Sequence, residues 1–132
     1  MKALLFAMLV GLGLSLTGFS PAREAAEMDS VLAALKSGNA TMLSRYFDNR
    51  IDITLPERSD NYSRSQAEMI LKNFFNNTGG VTNFELRHKG ENSGANYLIG
   101  MLLTNNGRYR TTLFMKQKGE KQLLQEVRFQ QE

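Results

Sequence analysis

The chain has few side chains of the types that carry out acid–base or metal chemistry. It contains one histidine, His88, and no cysteine. These counts exclude thiolate metal sites, two-histidine metal sites and cysteine nucleophiles, and any serine triad would have to use His88. The alternation of Phe84, Leu86 and His88 predicts a strand with the imidazole on its apolar side, where it could act as a ligand donor or general base. The alternative is a strand-end histidine that is hydrogen-bonded at the rim of the core.

Two arginines flank a tyrosine just after a strong turn signal. Asn106-Gly107 is typical of a two-residue hairpin turn, and Arg108, Tyr109 and Arg110 follow it. Alternate strand residues share a face, so both guanidinium groups point the same way and could bind a carboxylate or a phosphate. The alternative is a solvated strand end.

Four carboxylates are close together in the sequence, but their spacing matches no calcium-binding loop. Three arginines lie among them: Arg45, Arg50 and Arg58. We therefore predict ion-paired surface here and no metal site or cofactor. The four acidic residues are Asp48, Asp52, Glu57 and Asp60.

Three predicted helices must help to position these residues. Apolar residues at helical spacing predict a first helix over 23–36, ended by Gly38, and a short second helix over 40–47, capped by Asn39. The period-2 pattern of 50–55 predicts a strand, and the polar segment 57–64 predicts a loop. A third helix then begins at a capping box formed by Ser65 and Glu68 and ends at 76–80.

The pattern changes to four strands from Val81 onward, which gives an α-α-β-α-β-β-β-β order. If Asn106-Gly107 forms a two-residue turn, the central hairpin has two apolar faces. One face carries Leu98, Leu102, Tyr109, Leu113 and Met115, and the other carries Tyr97, Ile99, Met101, Leu103 and Phe114. The helices can cover one face, so a homodimer partner or a bound ligand could cover the second.

The N-terminal segment has the pattern of a cleavable signal peptide. Lys2 precedes an apolar run over 3–19, and Ser20 and Ala22 form a small-x-small site, which predicts a signal peptide over 1–22 with cleavage after Ala22. Since the run is short for a membrane span, we expect no span after cleavage. The protein is thus expected to be exported, either to the periplasm or to the cell exterior.

The remaining segment, 23–132, is long enough for one domain. It carries 15 Lys and Arg against 13 Asp and Glu, a net charge of +2, once Lys2 is removed from the total of 16. Charges of both signs are interspersed, so nucleic-acid binding is not expected. The absence of cysteine means that the fold depends on its hydrophobic core and not on disulfides.

Several short motifs, in this order, resemble a known family. They are Tyr62-Ser63, Phe74-Phe75, His88-Lys89-Gly90, 97–100 (Tyr-Leu-Ile-Gly) and 106–110 (Asn-Gly-Arg-Tyr-Arg). Together with the order of elements, they resemble the nuclear-transport-factor-two-like (cystatin-like) superfamily and, within it, an uncharacterised family of small exported bacterial proteins, a domain of unknown function. The resemblance implies an α+β cone in which three helices pack on a curved, mostly antiparallel sheet.

The superfamily's members include enzymes, ligand-binding modules and catalytically inert domains, so the fold does not imply one activity. We expect a non-catalytic module that binds a small apolar or anionic ligand, or another protein, with His88, Tyr97, Tyr109 and Arg110 as candidate ligand-binding residues. The alternative is a lyase or isomerase in which His88 acts as acid or base and Tyr97, Tyr109 or Arg110 positions an anionic substrate. A third possibility is a purely structural component with a large partner interface.

Overall fold

The computed structural model describes residues 21–132 of the chain, so most of the predicted signal peptide lies outside the described residues. Three helices and six strands follow one another along the sequence. The helices are α1 (Pro21–Ser37), α2 (Ala40–Ser44) and α3 (Arg64–Asn77). The strands are β1 (Phe47–Leu55), β2 (Arg58–Ser63), β3 (Val81–Asn92), β4 (Ala95–Thr104), β5 (Gly107–Lys118) and β6 (Lys121–Gln131).

The strands form one sheet in the order β2-β1-β6-β5-β4-β3. Every neighbouring pair is antiparallel except β1 and β6, which are parallel. The three helices pack against one face of this curved sheet, which we call the inner face, and their apolar side chains join those of the strands in one buried core. The α+β fold that the sequence predicted is confirmed. None of the helices within 21–132 is long and apolar enough to cross a membrane.

The ends of the first two helices follow the sequence signals. Gly38 has a φ of +64°, a left-handed conformation that suits glycine at a helix end, and its N–H donates to the Leu35 carbonyl. The side chain of Asn39 accepts a hydrogen bond from the Met42 N–H at 2.9 Å and so caps α2. The second helix stops at Ser44 and is shorter than predicted, because Phe47 already belongs to β1.

The segment predicted as a loop over 57–64 is instead strand β2, apart from Glu57 and Arg64. It pairs antiparallel with β1, for example Ile53 with Asp60. Its side chains are all polar apart from the half-buried ring of Tyr62, so it lacks the apolar alternation by which strands are recognised. Backbone pairing at the sheet edge holds β2 in place, and this pairing leaves no hydrophobic pattern in the sequence.

The predicted capping box of α3 is two residues too late. Ser63 is the N-cap: its hydroxyl accepts from the Gln66 N–H, and the Gln66 side chain accepts from the Ser63 N–H at 3.2 Å. Glu68 instead accepts hydrogen bonds from the hydroxyls of Thr41, at 2.8 Å, and Ser44, and thereby links α3 to α2.

Candidate functional site

The four predicted ligand-binding residues lie on two different faces of the sheet. Tyr109 is on the inner face, where its ring packs edge-on against Phe74 of α3 with the ring centroids 5.2 Å apart. His88, Tyr97 and Arg110 are on the opposite face, which we call the outer face. The sheet therefore separates Tyr109 from the other three, and one small ligand cannot contact all four.

A β-bulge explains why His88 is not on the apolar side that its alternation predicted. Leu86 pairs with Gly100, but His88 pairs with the next residue of β4, Ile99, so Arg87 is an extra residue in β3. An extra residue inverts the side-chain alternation beyond it, which moves the imidazole from the face of Phe84 to the outer face. The prediction that His88 shares a side with Phe84 and Leu86 is wrong for this reason.

A pocket of about 420 Å³ opens on the inner face, between α3 and the turn that joins β1 to β2. We call it the cone mouth. The rings of Phe74 and Tyr109 form its aromatic wall, and both side chains are less than 10% exposed. Phe129 packs behind Phe74 with the centroids 4.7 Å apart, which fixes the wall in place. The other lining residues are Leu55, Pro56, Glu57, Arg58, Ile70, Asn73, Asn77, Thr78 and Gln131.

The rim of the cone mouth is polar and carries one charge of each sign, Glu57 and Arg58. Arg58 makes no ion pair within 4 Å among the residues that the structure describes. Asn73 and Asn77 are four residues apart on α3 and line the same pocket. A ligand that enters would therefore meet aromatic carbon at one wall, amide groups along α3 and a guanidinium at the rim.

Sequence reasoning found only Tyr109 among these residues. The i, i+4 spacing of Asn73 and Asn77 beside Phe74 is the signal by which these two residues could be found. Arg58 lies in the segment that the sequence predicts as a loop. The position of Arg58 at the cone mouth follows from its place in β2, a strand that the sequence pattern does not indicate.

A second pocket, of about 440 Å³, lies on the outer face, and we call it the outer groove. Ile99 and Met101 of β4 form its apolar floor, together with the backbone of Gly100. Arg87 and His88 come from β3 and Arg110 from β5, while Glu132 lines it from the end of the chain.

Aromatic residues adjoin the outer groove. The Tyr97 hydroxyl lies 3.4 Å from Nε2 of His88, and the two rings are 5.8 Å apart. Gly90 pairs with Tyr97, and a Cβ at Gly90 would overlap the tyrosine ring, so this glycine gives the ring room to lie across the strand. On the other side Phe114 lies 6.4 Å from Tyr97 and is 36% exposed. The second apolar face that the sequence predicted is therefore the outer face, where the ring of Tyr97 lies between His88 and Phe114.

The acidic residues of β1 and its neighbourhood make contacts that the sequence did not specify. Asp48 forms an ion pair with Lys118 at 2.6 Å and accepts a hydrogen bond from Gln125 at 2.9 Å. These contacts lower the pKa of the Asp48 carboxyl to about 2. Asp52 accepts a hydrogen bond from Asn61, and neither carboxylate pairs with the arginines nearby in sequence. Within residues 21–132, no three His, Asp or Glu side chains are grouped to hold a metal ion.

The comparisons with known proteins place the chain in a family. Residues 28–130 match the family described as Domain of unknown function (DUF4783). The chain therefore belongs to the DUF4783 family, and the resemblance that its motifs indicated is confirmed. No curated protein matches the chain.

Solved structures of this family share the fold. A DUF4783 family protein from Bacteroides fragilis is 30% identical, with a TM-score of 0.74, over 78% of this chain and 96% of that one. Another from Bacteroides ovatus is 27% identical, with a TM-score of 0.75, over 78% of this chain and 93% of that one. An NTF2-like protein of unknown function from Cytophaga hutchinsonii is 10% identical, with a TM-score of 0.59, over 88% of this chain and 93% of that one, and shows only the likeness of fold.

Proposed function

We propose that this DUF4783 family member is an exported, non-catalytic domain that binds a small molecule in the cone mouth. The observation that carries the proposal is the pocket of about 420 Å³ between α3 and the β1–β2 turn. Its volume falls within the range of about 300–1,000 Å³ that is usual for small-molecule sites. The proposal of export depends on the signal-peptide pattern of residues 1–22.

The lining supports a ligand with an apolar body and an anionic group. The rings of Phe74 and Tyr109 favour a flat or aliphatic surface, because buried aromatic groups gain most from apolar contact. The guanidinium of Arg58 has no ion pair in the described part of the chain and can bind a carboxylate or phosphate with two parallel hydrogen bonds. Glu57, beside it on the rim, would repel an anionic group placed against its own carboxylate, which favours a ligand whose anionic group lies at Arg58.

The rival proposal, a lyase or isomerase, takes a different form from the one that the sequence suggested. His88 is on the outer face, so an acid or base in the cone mouth would have to be Glu57, with Tyr109 as hydrogen-bond donor. Both line the pocket, which is the observation in favour of this reading. In a Glu57→Gln variant, a binding domain retains its ligand and a lyase or isomerase loses turnover.

The experiment compares two tryptophan substitutions on the same helix. Asn73→Trp fills the cone mouth, whereas Met69→Trp adds the same ring to an exposed position of α3, 61% exposed in the wild type, outside the pocket. Each protein is purified from the envelope of its own host, and its native mass is compared with its denatured mass. We expect a non-protein adduct on the wild type and on Met69→Trp, and its loss from Asn73→Trp.

An adduct that survives unchanged in Asn73→Trp would contradict the cone mouth as the binding site. A wild-type mass without any adduct, together with no change in melting temperature when small carboxylates are added, would contradict ligand binding itself. The denatured mass also tests cleavage after Ala22, because it gives the first residue of the mature chain. The native mass tests the predicted homodimer through the outer sheet face, which stays a prediction.

A further inference from the structure

The outer groove has a shielded apolar floor on the side of the sheet that is opposite to α1, α2 and α3. Met101 is only 6% exposed, yet it is not part of the hydrophobic core cluster between sheet and helices. The residues around it in the groove are Arg87, His88 and Arg110. Met101 is thus largely covered, and the half-buried Ile99 beside it supplies the part of the apolar floor that an alkyl chain or a ring can contact without displacing the core.

The arginines around the outer groove differ in their ion pairing. Arg87 pairs with Glu85 at 3.2 Å, and Arg128, on the neighbouring strand β6, pairs with Glu126 at 2.6 Å. Arg110 makes no ion pair within 4 Å among residues 21–132. Glu132, at the end of the chain, is the acidic residue in the groove lining. The groove therefore offers one available guanidinium directly beside an apolar floor.

The bulge in β3 gives the outer groove its polar end. By turning His88 to the outer face, the bulge brings the imidazole to 3.4 Å from the Tyr97 hydroxyl. A bulge interrupts the regular hydrogen bonding between two strands, and bulges beside functional sites commonly turn one side chain to a new direction. Here the re-aimed side chain lines the same pocket as Arg110.

We propose that the outer groove is a second binding site, distinct from the cone mouth, and that its ligand is a small amphipathic carboxylate. Arg110 holds the carboxylate, and the apolar part of the ligand lies on Ile99 and Met101. The groove volume of about 440 Å³ suits a molecule of this class. A second copy of the chain fits less well, because an isologous contact centred on the groove would bring the exposed Arg110 and Arg108 of both copies together, and like charges repel.

The test uses decanoate as the probe and the methionine methyl groups as reporters. The mature protein, labelled at its methionine methyls, is titrated with decanoate and, separately, with uncharged decanamide. We expect decanoate to shift the Met101 methyl signal and to leave that of Met69, on the exposed side of α3, unchanged. Decanamide should bind about 10-fold more weakly, since it lacks the charge that Arg110 recognises.

Three variants separate the proposed contact from general charge effects. Arg110→Met removes the guanidinium but keeps an apolar side chain, and should weaken decanoate binding about 10-fold. Arg128→Met removes the same charge from the same face, one strand away, and should change binding by less than about 2-fold. Glu132→Gln removes a like charge from the groove and should strengthen binding by about 2-fold.

Four results would overturn the proposal. The first is a titration in which the Met101 methyl does not respond, and the second is equal weakening by Arg110→Met and Arg128→Met. The third is equal affinity for decanoate and decanamide when both are measured at the Met101 methyl. The fourth is a native mass of two chains with the Met101 signal unaffected by decanoate, which would make the outer face an interface between copies. Because the cone mouth involves neither Met101 nor Arg110, none of these results depends on whether that pocket binds a ligand.

Discussion

At the scale of single residues, electrostatics acts most clearly at Asp48. This carboxylate is on β1 and is 9% exposed, but its partner Lys118 is at the end of β5, 70 residues later in the sequence. Sequence proximity suggested Arg45 and Arg50 as partners, and the structure shows neither pair. Partners that depend on strand packing across long sequence separations leave no local signal, so this contact could not be predicted from spacing.

The Asp48 ion pair makes stability depend on pH in a defined window. The pKa of Asp48 falls from its ordinary value of 3.8 to about 2, with the Lys118 hydrogen bond as the largest cause. A carboxyl whose pKa is lower in the folded state stabilises the fold fully above about pH 4, and this contribution is lost as the pH falls through 2. We expect Asp48→Asn to lower the free energy of unfolding by about 1 kcal/mol at pH 7, with the difference shrinking as the pH falls from about 4 toward 2.

Urea denaturation of both proteins between pH 2 and pH 7 measures this difference. The control is Asp29→Asn, which changes an exposed carboxylate of α1 and should leave the pH profile close to that of the wild type. A constant gap between wild type and Asp48→Asn across the whole range would show that the ion pair does not titrate as described.

His88 is the residue for which the sequence prediction failed most instructively. Its identity as the only imidazole was visible, and its membership of a strand was correct. Its face depended on one extra residue, Arg87, and a β-bulge has no reliable sequence signature. Tyr97 and Arg110 lie on the same face of the sheet, as their alternation along β4 and β5 predicts, because no bulge interrupts the pairing of these two strands.

At the scale of elements, the apolar alternation of the central strands predicted their faces correctly, whereas the turn signal before β5 and the cap signal of α3 were misplaced by one or two residues. The two-residue turn between β4 and β5 is Asn105-Asn106, with Thr104 paired to Gly107, so the prediction of a turn at Asn106-Gly107 is one residue too late. The pairing of the two strands is thereby shifted by two residues, which leaves the side-chain alternation unchanged, and the two predicted faces are confirmed. Leu98, Leu102 and Leu113 are fully buried on the inner face as predicted. Strand β2 carries no apolar alternation, so its existence, and with it the position of Arg58 in the cone mouth, could not be read from the sequence.

The N-cap of α3 provides a direct test at this scale. Ser63→Ala removes the hydroxyl that accepts from the Gln66 N–H, and we expect it to lower the free energy of unfolding by about 1 kcal/mol. Ser65→Ala, inside the first turn, should change it by less than about 0.5 kcal/mol. Urea denaturation at pH 7 measures both. The reverse order of effects would restore Ser65 as the cap and contradict the observed start of the helix.

At the scale of the whole molecule, hydrogen bonds tie the start of α1 to the sheet. The α1 residues that make them lie before the segment that matches the family. Asn96 of β4 donates to Glu24 at 3.2 Å and to Gln122 of β6 at 3.0 Å, and the Gln122 N–H donates to Glu27 at 3.4 Å. The matched segment begins at residue 28, after both glutamates. The polar contacts at this end of α1 therefore belong to the domain even though they lie outside the matched segment.

We expect a chain that starts at residue 28 to be less stable than one that starts at Arg23. The loss should be about 1–2 kcal/mol, because the side-chain amide of Asn96 and the backbone N–H of Gln122 lose their charged partners, Glu24 and Glu27. Thermal and urea denaturation of the two chains measure the difference. A Glu24→Ala, Glu27→Ala double variant of the longer chain separates the contacts from chain length, and equal stability of all three chains would contradict the role of this contact.

The position of β6 determines when the fold can be completed. This strand is the last in sequence, yet it lies inside the sheet between β1 and β5, and Ile53 pairs with Val127 across 74 residues. The hairpin of β1 and β2 joins the rest of the sheet only through β6, so folding requires a contact of long sequence separation and is expected to be slow. A contact of such long sequence separation makes the closure of the whole sheet, and not the formation of any single hairpin, the expected slow step of folding.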